Sequence, residues 1–297
     1  MRHLTAVVKK HVLFMFFFFV FSIPFLQAED FFFDSAGVKI HYIVEGKGEP
    51  VLLIHGFAVD IQTNWGNPGV IKALSDTFQV IAIDNRGHGQ SDKPHDRNAY
   101  GMNMAEDSIR LLDHLKIRKA HVVGYSMGGF ITAAILARHP ERVRTAVLGG
   151  AGWDPSEQAK AFAATLADSL EQGKGIGPLI VALNPVGAPP PTPEMIEMYN
   201  KFLVSRNDVM ALAAVLRNPV PEPTEAQIRA NKVPVLALIG ELDPAKAGVD
   251  RLNGLMPNLK IAVIPKADHG TAHASPEFIK NLKGFLVEHS TAAWGKK

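Results

Sequence analysis

Apolar residues fall in short continuous runs along the chain, each closed by a small, polar or turn-forming residue. Val51 to Ile54 precedes His55-Gly56, Val80 to Ile83 precedes Asp84, and His121-Val122-Val123 precedes Gly124. Arg144 to Gly150, Val233 to Ile239 and Lys260 to Ile264 repeat the pattern. Runs this short and this apolar predict strands covered on both faces. Upstream, Phe31 to Ile40 and His41 to Val44, arranged around Ser35-Ala36-Gly37, predict an antiparallel hairpin. Between the runs the apolar spacing becomes helical: over Asn67 to Phe78 with Pro68 in its first turn, over Met104 to Leu115, over Met127 to His139 before Pro140, and over Pro276 to His289. Strands alternating with helices predict an α/β fold, a mostly parallel eight-stranded sheet with helices on both faces.

The alternation breaks after Ala151 and resumes at Val233. In between, helical segments near Ser156 to Gln172, Pro193 to Val204 and Val209 to Leu216 are separated by a proline-rich stretch from Asn184 to Pro193. This predicts a helical cap over 152–231 inserted into a core made of 29–151 and 232–297.

Composition adjusts the picture only in places. With 297 residues, 47% hydrophobic and 20% charged, the chain has ordinary globular content. Lysine and arginine number 31 against 29 acidic residues, so no strong net field draws in nucleic acid. Cysteine is absent, which removes thiolate catalysis, disulfides and cysteine-ligated metal sites. The histidines are scattered without ligand spacing, so no metal and no cofactor is expected. Oligomeric state is not written in the pattern.

The first 28 residues have a layout of their own. Arg2, Lys9 and Lys10 precede an apolar run from Val12 to Leu26, and Leu26-Gln27-Ala28 precedes Glu29-Asp30. A basic segment, an apolar segment shorter than a bilayer span and a small residue at the boundary predict a signal peptide over 1–28, hence a periplasmic or secreted protein. Retention of the segment would make it a membrane anchor instead. Its removal takes away three basic residues and leaves the remainder near neutral.

Chemistry enters at Gly124-Tyr125-Ser126-Met127-Gly128, which fits G-x-S-x-G. A strand turning this sharply into a helix crowds the backbone around the serine, so the positions two before and two after it must lack a Cβ. A serine hydroxyl is a weak nucleophile unless a base takes its proton and a carboxylate orients that base. The later strands end in such groups: Val235 to Ile239 leads into Gly240-Glu241-Leu242-Asp243, and Lys260 to Ile264 leads into Pro265 to His269. Parallel strands gather their C-termini at one edge, so Ser126, Asp243 and His269 are expected to converge there.

With these residues the sequence resembles the α/β-hydrolases of the cap-bearing esterase, lactonase and epoxide-hydrolase-like group. The resemblance covers nearly the whole chain after residue 28. It rests on His55-Gly56, on Asp84-Asn85-Arg86-Gly87-His88-Gly89-Gln90-Ser91, on the serine turn, on Gly240 to Asp243 and on His269. It implies the α/β-hydrolase fold, Ser126 as nucleophile, His269 as base and Asp243 as its orienting acid, with an oxyanion hole from the N–H groups of Phe57 and Met127. It also implies that Asp84, Arg86 and His88 fix a loop and that His55 supports the segment presenting Phe57. Relatives that cleave carbon–halogen bonds or epoxides use aspartate where this chain has Ser126, which disfavours an alkyl-enzyme ester.

The expected function is therefore hydrolysis of a small to medium, apolar carboxylic ester through an acyl-enzyme, with water as second substrate. A lactonase or carbon–carbon bond hydrolase with the same triad, or a silent hydrolase scaffold that only binds, are the alternatives. Asp268 adjoins His269 and is expected to point elsewhere, Glu241 fits the acid position less well than Asp243, and His273 is a competing base. Phe162, Leu166, Leu179, Leu183 and Tyr199 are candidates to shape an acyl pocket, as are Phe57 and Trp65, although the same residues serve plain packing.

Overall fold

The computed structural model describes residues 29–291. The segment read as a signal peptide lies outside them.

An eight-stranded sheet forms the body, in the order β1-β2-β4-β3-β5-β6-β7-β8. Its strands are β1 (Glu29–Ser35), β2 (Val38–Glu45), β3 (Glu49–Ile54), β4 (Phe78–Ile83), β5 (Ala120–Tyr125), β6 (Val143–Gly149), β7 (Val235–Gly240) and β8 (Leu259–Ile264). β1 pairs antiparallel with β2 and β2 antiparallel with β4, while every pairing from β4 through β3, β5, β6 and β7 to β8 is parallel. The apolar runs of β3, β5 and β7 are buried along their length because helices cover both faces. One face packs on α2 (Met102–His114) and α3 (Met127–Arg138), the other on α1 (Val70–Ser75) and α10 (Pro276–Glu288).

The helix expected over Asn67 to Phe78 is shorter. Gly69, at φ 81°, breaks the chain into the left-handed region, so Pro68 stands outside helix α1 and not in its first turn. A π-helical turn, Gln62–Gly66, precedes it and buries Asn64 and Trp65.

Between β6 and β7 the chain runs through α4 (Glu157–Glu171), α5 (Gly177–Ala182), α6 (Pro193–Val204), α7 (Val209–Arg217) and α8 (Glu225–Arg229), with no strand. α4 and α7 bury Leu166, Leu170, Leu212 and Ala213 in a separate apolar cluster that reaches down to Ala58 and Phe57. α5, α8 and α9 (Lys246–Leu252) are additional to the sequence reading. The start of α8 carries a local signal, a capping box in which the Thr224 side chain accepts from Gln227 N–H and the Gln227 side chain accepts from Thr224 N–H.

Candidate active site

Strand β5 delivers Ser126 into a conformation that few non-glycine residues adopt, φ 53° and ψ −119°. Two glycines make this turn possible. A Cβ on Gly124 would lie 1.9 Å from the Gly128 carbonyl oxygen, and one on Gly128 would lie 2.0 Å from that of Ile54. The Ser126 N–H donates to Gly149 O at 2.7 Å, which ties the turn to β6. Its hydroxyl makes no cap on α3 and is directed instead at His269.

Three side chains from three strand ends stand in series. His269 Nε2 lies 3.0 Å from Ser126 Oγ, and His269 Nδ1 lies 2.9 Å from Asp243 Oδ2. Asp243 is 0% exposed, and its other oxygen accepts from Ala245 N–H at 2.9 Å. A carboxylate on Nδ1 selects the tautomer with the proton there, which turns the Nε2 lone pair toward the serine. The His269 ring keeps 12% exposure, enough to meet a ligand.

The loop after β3 is held by a chain of neutral hydrogen bonds. His55 Nδ1–H donates to Gly56 O at 2.7 Å, and its Nε2 accepts from Asn85 N–H at 3.0 Å. Burial lowers the His55 pKa, and with both ring nitrogens engaged in these bonds neither is free to take a proton from the serine. Gly56 N–H donates to Asn64 Oδ1 at 2.8 Å. The next residue, Phe57, and Met127, the first residue of α3, both line the cavity over Ser126. Neither N–H has a protein acceptor among the described residues. One donor at a helix start and one on the loop after β3 would suit a developing oxyanion.

Asp84, Arg86 and His88 brace the adjoining loop. Burial alone would raise the Asp84 pKa, but His41 and the N–H groups of Gln90 and Ile61 bond to it, and with the nearby His55 they hold it at about 2. Arg86 grips Asp107 through Nε at 2.7 Å and Nη2 at 2.6 Å. His88 donates to Arg86 O, and burial, helped by His55, pushes its pKa down to about 3.

Other candidates stand apart from the serine. Glu241 accepts from Lys266 N–H, and Asp268 accepts from the N–H groups of Gly270 and Thr271. His273 lies against the Tyr125 ring, 4.8 Å between centroids, and burial lowers its pKa to about 4. Trp65 is 0% exposed and packs edge-on to Tyr125, so it belongs to the core.

A cavity of about 800 Å³ opens over Ser126 and His269, within the range of small-molecule sites. Phe57, Phe162, Leu166, Leu179 and Leu183 line it. Tyr199 does not: α6 turns it outward, 45% exposed, because the helix packs through Ile196 and Asn200 and buries no residue fully. Among the described residues no three His, Asp or Glu side chains are grouped to hold a metal ion.

Two participants carry no separable sequence signal. Asn64 acts from a π-helical turn. Tyr125, an unspecified position of the serine pattern, donates its hydroxyl to His269 O at 2.6 Å.

Comparison with known proteins agrees with this architecture. The sequence profile of the alpha/beta hydrolase fold family matches residues 49–171. A 2-hydroxymuconate semialdehyde hydrolase from Pseudomonas sp. (strain CF600) is 38% identical over 117 residues, 39% of this chain and 41% of that protein. The chain spans about two fifths of the length of such curated relatives. Among solved structures, a thermophilic esterase from Thermogutta terrifontis is similar with a TM-score of 0.72 and 26% identity, covering 89% of this chain and 100% of the other. Est816, described as an N-acyl homoserine lactone degrading enzyme, is similar with a TM-score of 0.67 and 27% identity, covering 86% of this chain and 99% of the other. With its strand order, its serine turn and these relatives taken together, the chain belongs to the alpha/beta hydrolase superfamily.

Proposed function

We propose that the protein is a serine hydrolase that cleaves carboxylic esters of small to medium apolar substrates through an acyl-enzyme. The observation that carries the reading is the hydrogen-bonded series Ser126–His269–Asp243 at the floor of a mostly apolar cavity. In this reading Ser126 Oγ attacks the ester carbonyl carbon while His269 Nε2 takes its proton. The carbonyl oxygen becomes an oxyanion and accepts from Phe57 and Met127 N–H, each worth about 3 kcal/mol of barrier. The tetrahedral species collapses, the C–O bond breaks, and His269 returns the proton to the departing alcohol. Water then attacks the acyl-enzyme with His269 as base, and Ser126 is released.

Lactone hydrolysis is a second reading, favoured by the resemblance to Est816 over most of both chains. The same steps apply, with the leaving alcohol tethered to the acyl group. Export through a signal peptide at 1–28 is part of the proposal, and N-terminal sequencing of the exported protein tests it.

The deciding experiment is a panel of p-nitrophenyl esters of rising chain length with lactones alongside, with Ser126→Ala as control. Activity on the esters that disappears in Ser126→Ala, together with labelling of Ser126 by a fluorophosphonate, is expected. Activity confined to lactones would reassign the substrate. Folded protein with no turnover and no labelling would leave a binding scaffold.

A further inference from the structure

The cavity over Ser126 is apolar along most of its wall, through Phe57, Met127, Phe130, Trp153, Phe162 and Leu179. Apart from His269, four charged side chains line it: Asp154, Lys160, Glu222 and Glu225. Three of them already have charged partners. Asp154 meets Arg251 at 2.9 Å, Lys160 meets Glu157 at 2.7 Å, and Glu225 meets Arg229 at 2.7 Å. Glu222 has no cation within salt-bridge distance among the described residues. Its Oε2 accepts from Asp154 N–H at 3.1 Å, and its Oε1 has no protein donor among them. Burial and the neighbouring Asp154 charge raise the Glu222 pKa, against the opposing Asp154 N–H bond, Arg251 and Lys160. The carboxyl group is therefore short of donors where it stands.

Its support is stiff. Glu222 sits in Pro219-Val220-Pro221-Glu222-Pro223, where alternate prolines fix φ and leave few conformations to lose. Trp153 Nε1–H donates to Pro223 O at 3.0 Å, and Arg251 Nε–H donates to Trp153 O at 2.8 Å. These bonds pin the segment to the chain that follows β6. An acceptor held in place this way binds a donor at little cost in entropy.

Resting on the ester-hydrolase reading of this cavity, we infer that Glu222 selects substrates with an otherwise apolar body that carries an N–H or O–H donor away from the scissile carbonyl. Substrates without the donor still fill the apolar wall, but they leave Glu222 Oε1 unpaired when they displace water. The preference arises from the N–H or O–H group itself and not from length or apolar area.

The test uses paired p-nitrophenyl esters of ω-(acetylamino)alkanoic acids over rising chain length. Each secondary amide is matched with its N-methyl amide, which differs by loss of the N–H. A second set places the same pair of amides on the alcohol side of the ester. At the length that spans the cavity, the full chain is expected to favour the N–H member by about three- to tenfold in kcat/KM. Glu222→Leu removes the preference. Glu222→Gln, which keeps an acceptor for Asp154 N–H, reduces it. The N–H to N-methyl ratio is read within each variant, and fluorophosphonate labelling of Ser126 reports that each variant folds. A ratio near one at every length in both sets, or an equal preference in Glu222→Leu, overturns the assignment while the esterase reading stands. Absence of turnover and labelling in the unmodified protein removes both.

Discussion

Tyr125→Phe removes the hydroxyl that ties the serine turn to the loop carrying His269. The phenol donates to His269 O at 2.6 Å, while its ring is packed by His273, His269, Phe278 and Trp65 at centroid distances of 4.8, 5.5, 5.9 and 6.5 Å. Burial, with Asp243 and Asp268 nearby, holds the Tyr125 pKa well above its ordinary value, so the group is a neutral donor at any working pH. Phenylalanine keeps the ring and its packing, so no cavity term applies. What is lost is one buried bond and the pairing of the His269 carbonyl, about 1–2 kcal/mol. For a chain of this size that lowers Tm by roughly 2–6 °C. The carbonyl belongs to the residue whose Nε2 must sit 3.0 Å from Ser126 Oγ, so a loosened backbone also spends more time out of line. The fit is close: a Cβ on Gly150 would lie 2.9 Å from Tyr125 Cζ and 3.2 Å from His269 Cε1. We expect kcat for a p-nitrophenyl ester to fall about three- to tenfold with KM within about twofold, and the rate of fluorophosphonate inactivation to fall in step. A variant that loses Tm but keeps its kcat would refute the positioning argument and leave Tyr125 a packing residue.

Gly128→Ala places a Cβ 2.0 Å from Ile54 O and 2.8 Å from His55 O, both backbone atoms that cannot step aside, and should cost upwards of about 4 kcal/mol in a urea titration. Gly284→Ala, on the open side of α10, should instead stabilise by about 0.5–1 kcal/mol; similar losses for both would contradict the steric account. His88, held at about 3 against an ordinary 6.5, stabilises the fold fully above pH 6.5 and loses that contribution as pH falls toward 3, because the unfolded chain takes up the proton first. Between pH 6.5 and 4.5 the unmodified protein should lose about 2 kcal/mol more than His88→Gln, and parallel pH curves would show that His88 is not the cause.

The strands were legible because burial on both faces leaves only apolar residues in each run, and a period of that kind survives without knowledge of the neighbours. Ser126, Asp243 and His269 were legible because each closes such a run. Asn64 and Tyr125 were not: their hydrogen bonds depend on a π-helical turn folding back onto a residue eight positions earlier and on two residues 144 positions apart. Tyr199 was misplaced for a related reason. Helical spacing shows that α6 has two unlike faces, but it does not say which face meets the body of the protein, and the structure turns Met195, Met198, Tyr199 and Phe202 outward. The short α5 and α9 form where packing supports them and α8 where its capping box does, and their periodicity alone is too brief to register.

The division between legible and illegible parts has a chemical counterpart. The groups that would make and break bonds sit at strand ends, where sheet register leaves little freedom, and they admit several reactions on one scaffold. What separates those reactions is, first, the atom at the turn. On the proposed reading Ser126 would form an acyl ester, with His269 Nε2 3.0 Å away to serve its hydrolysis, whereas a carboxylate there would form an alkyl ester. What separates substrates is the wall above it, and much of that wall, Leu179, Leu183, Val215, Leu216 and Pro219 to Glu225, lies beyond residue 171, where the family profile ends. A relative's substrate therefore carries little information about this cavity, even where the strand ends agree. The discriminating features belong to this chain's own wall: its apolar span, its volume of about 800 Å³, and the carboxyl group of Glu222, whose Oε1 lacks a protein donor among the described residues. On the proposed reading a substrate covers the apolar wall and offers a donor to Glu222, because an acceptor left unpaired when water is displaced costs about 1–3 kcal/mol, against about 0.8 kcal/mol gained from an extra methylene.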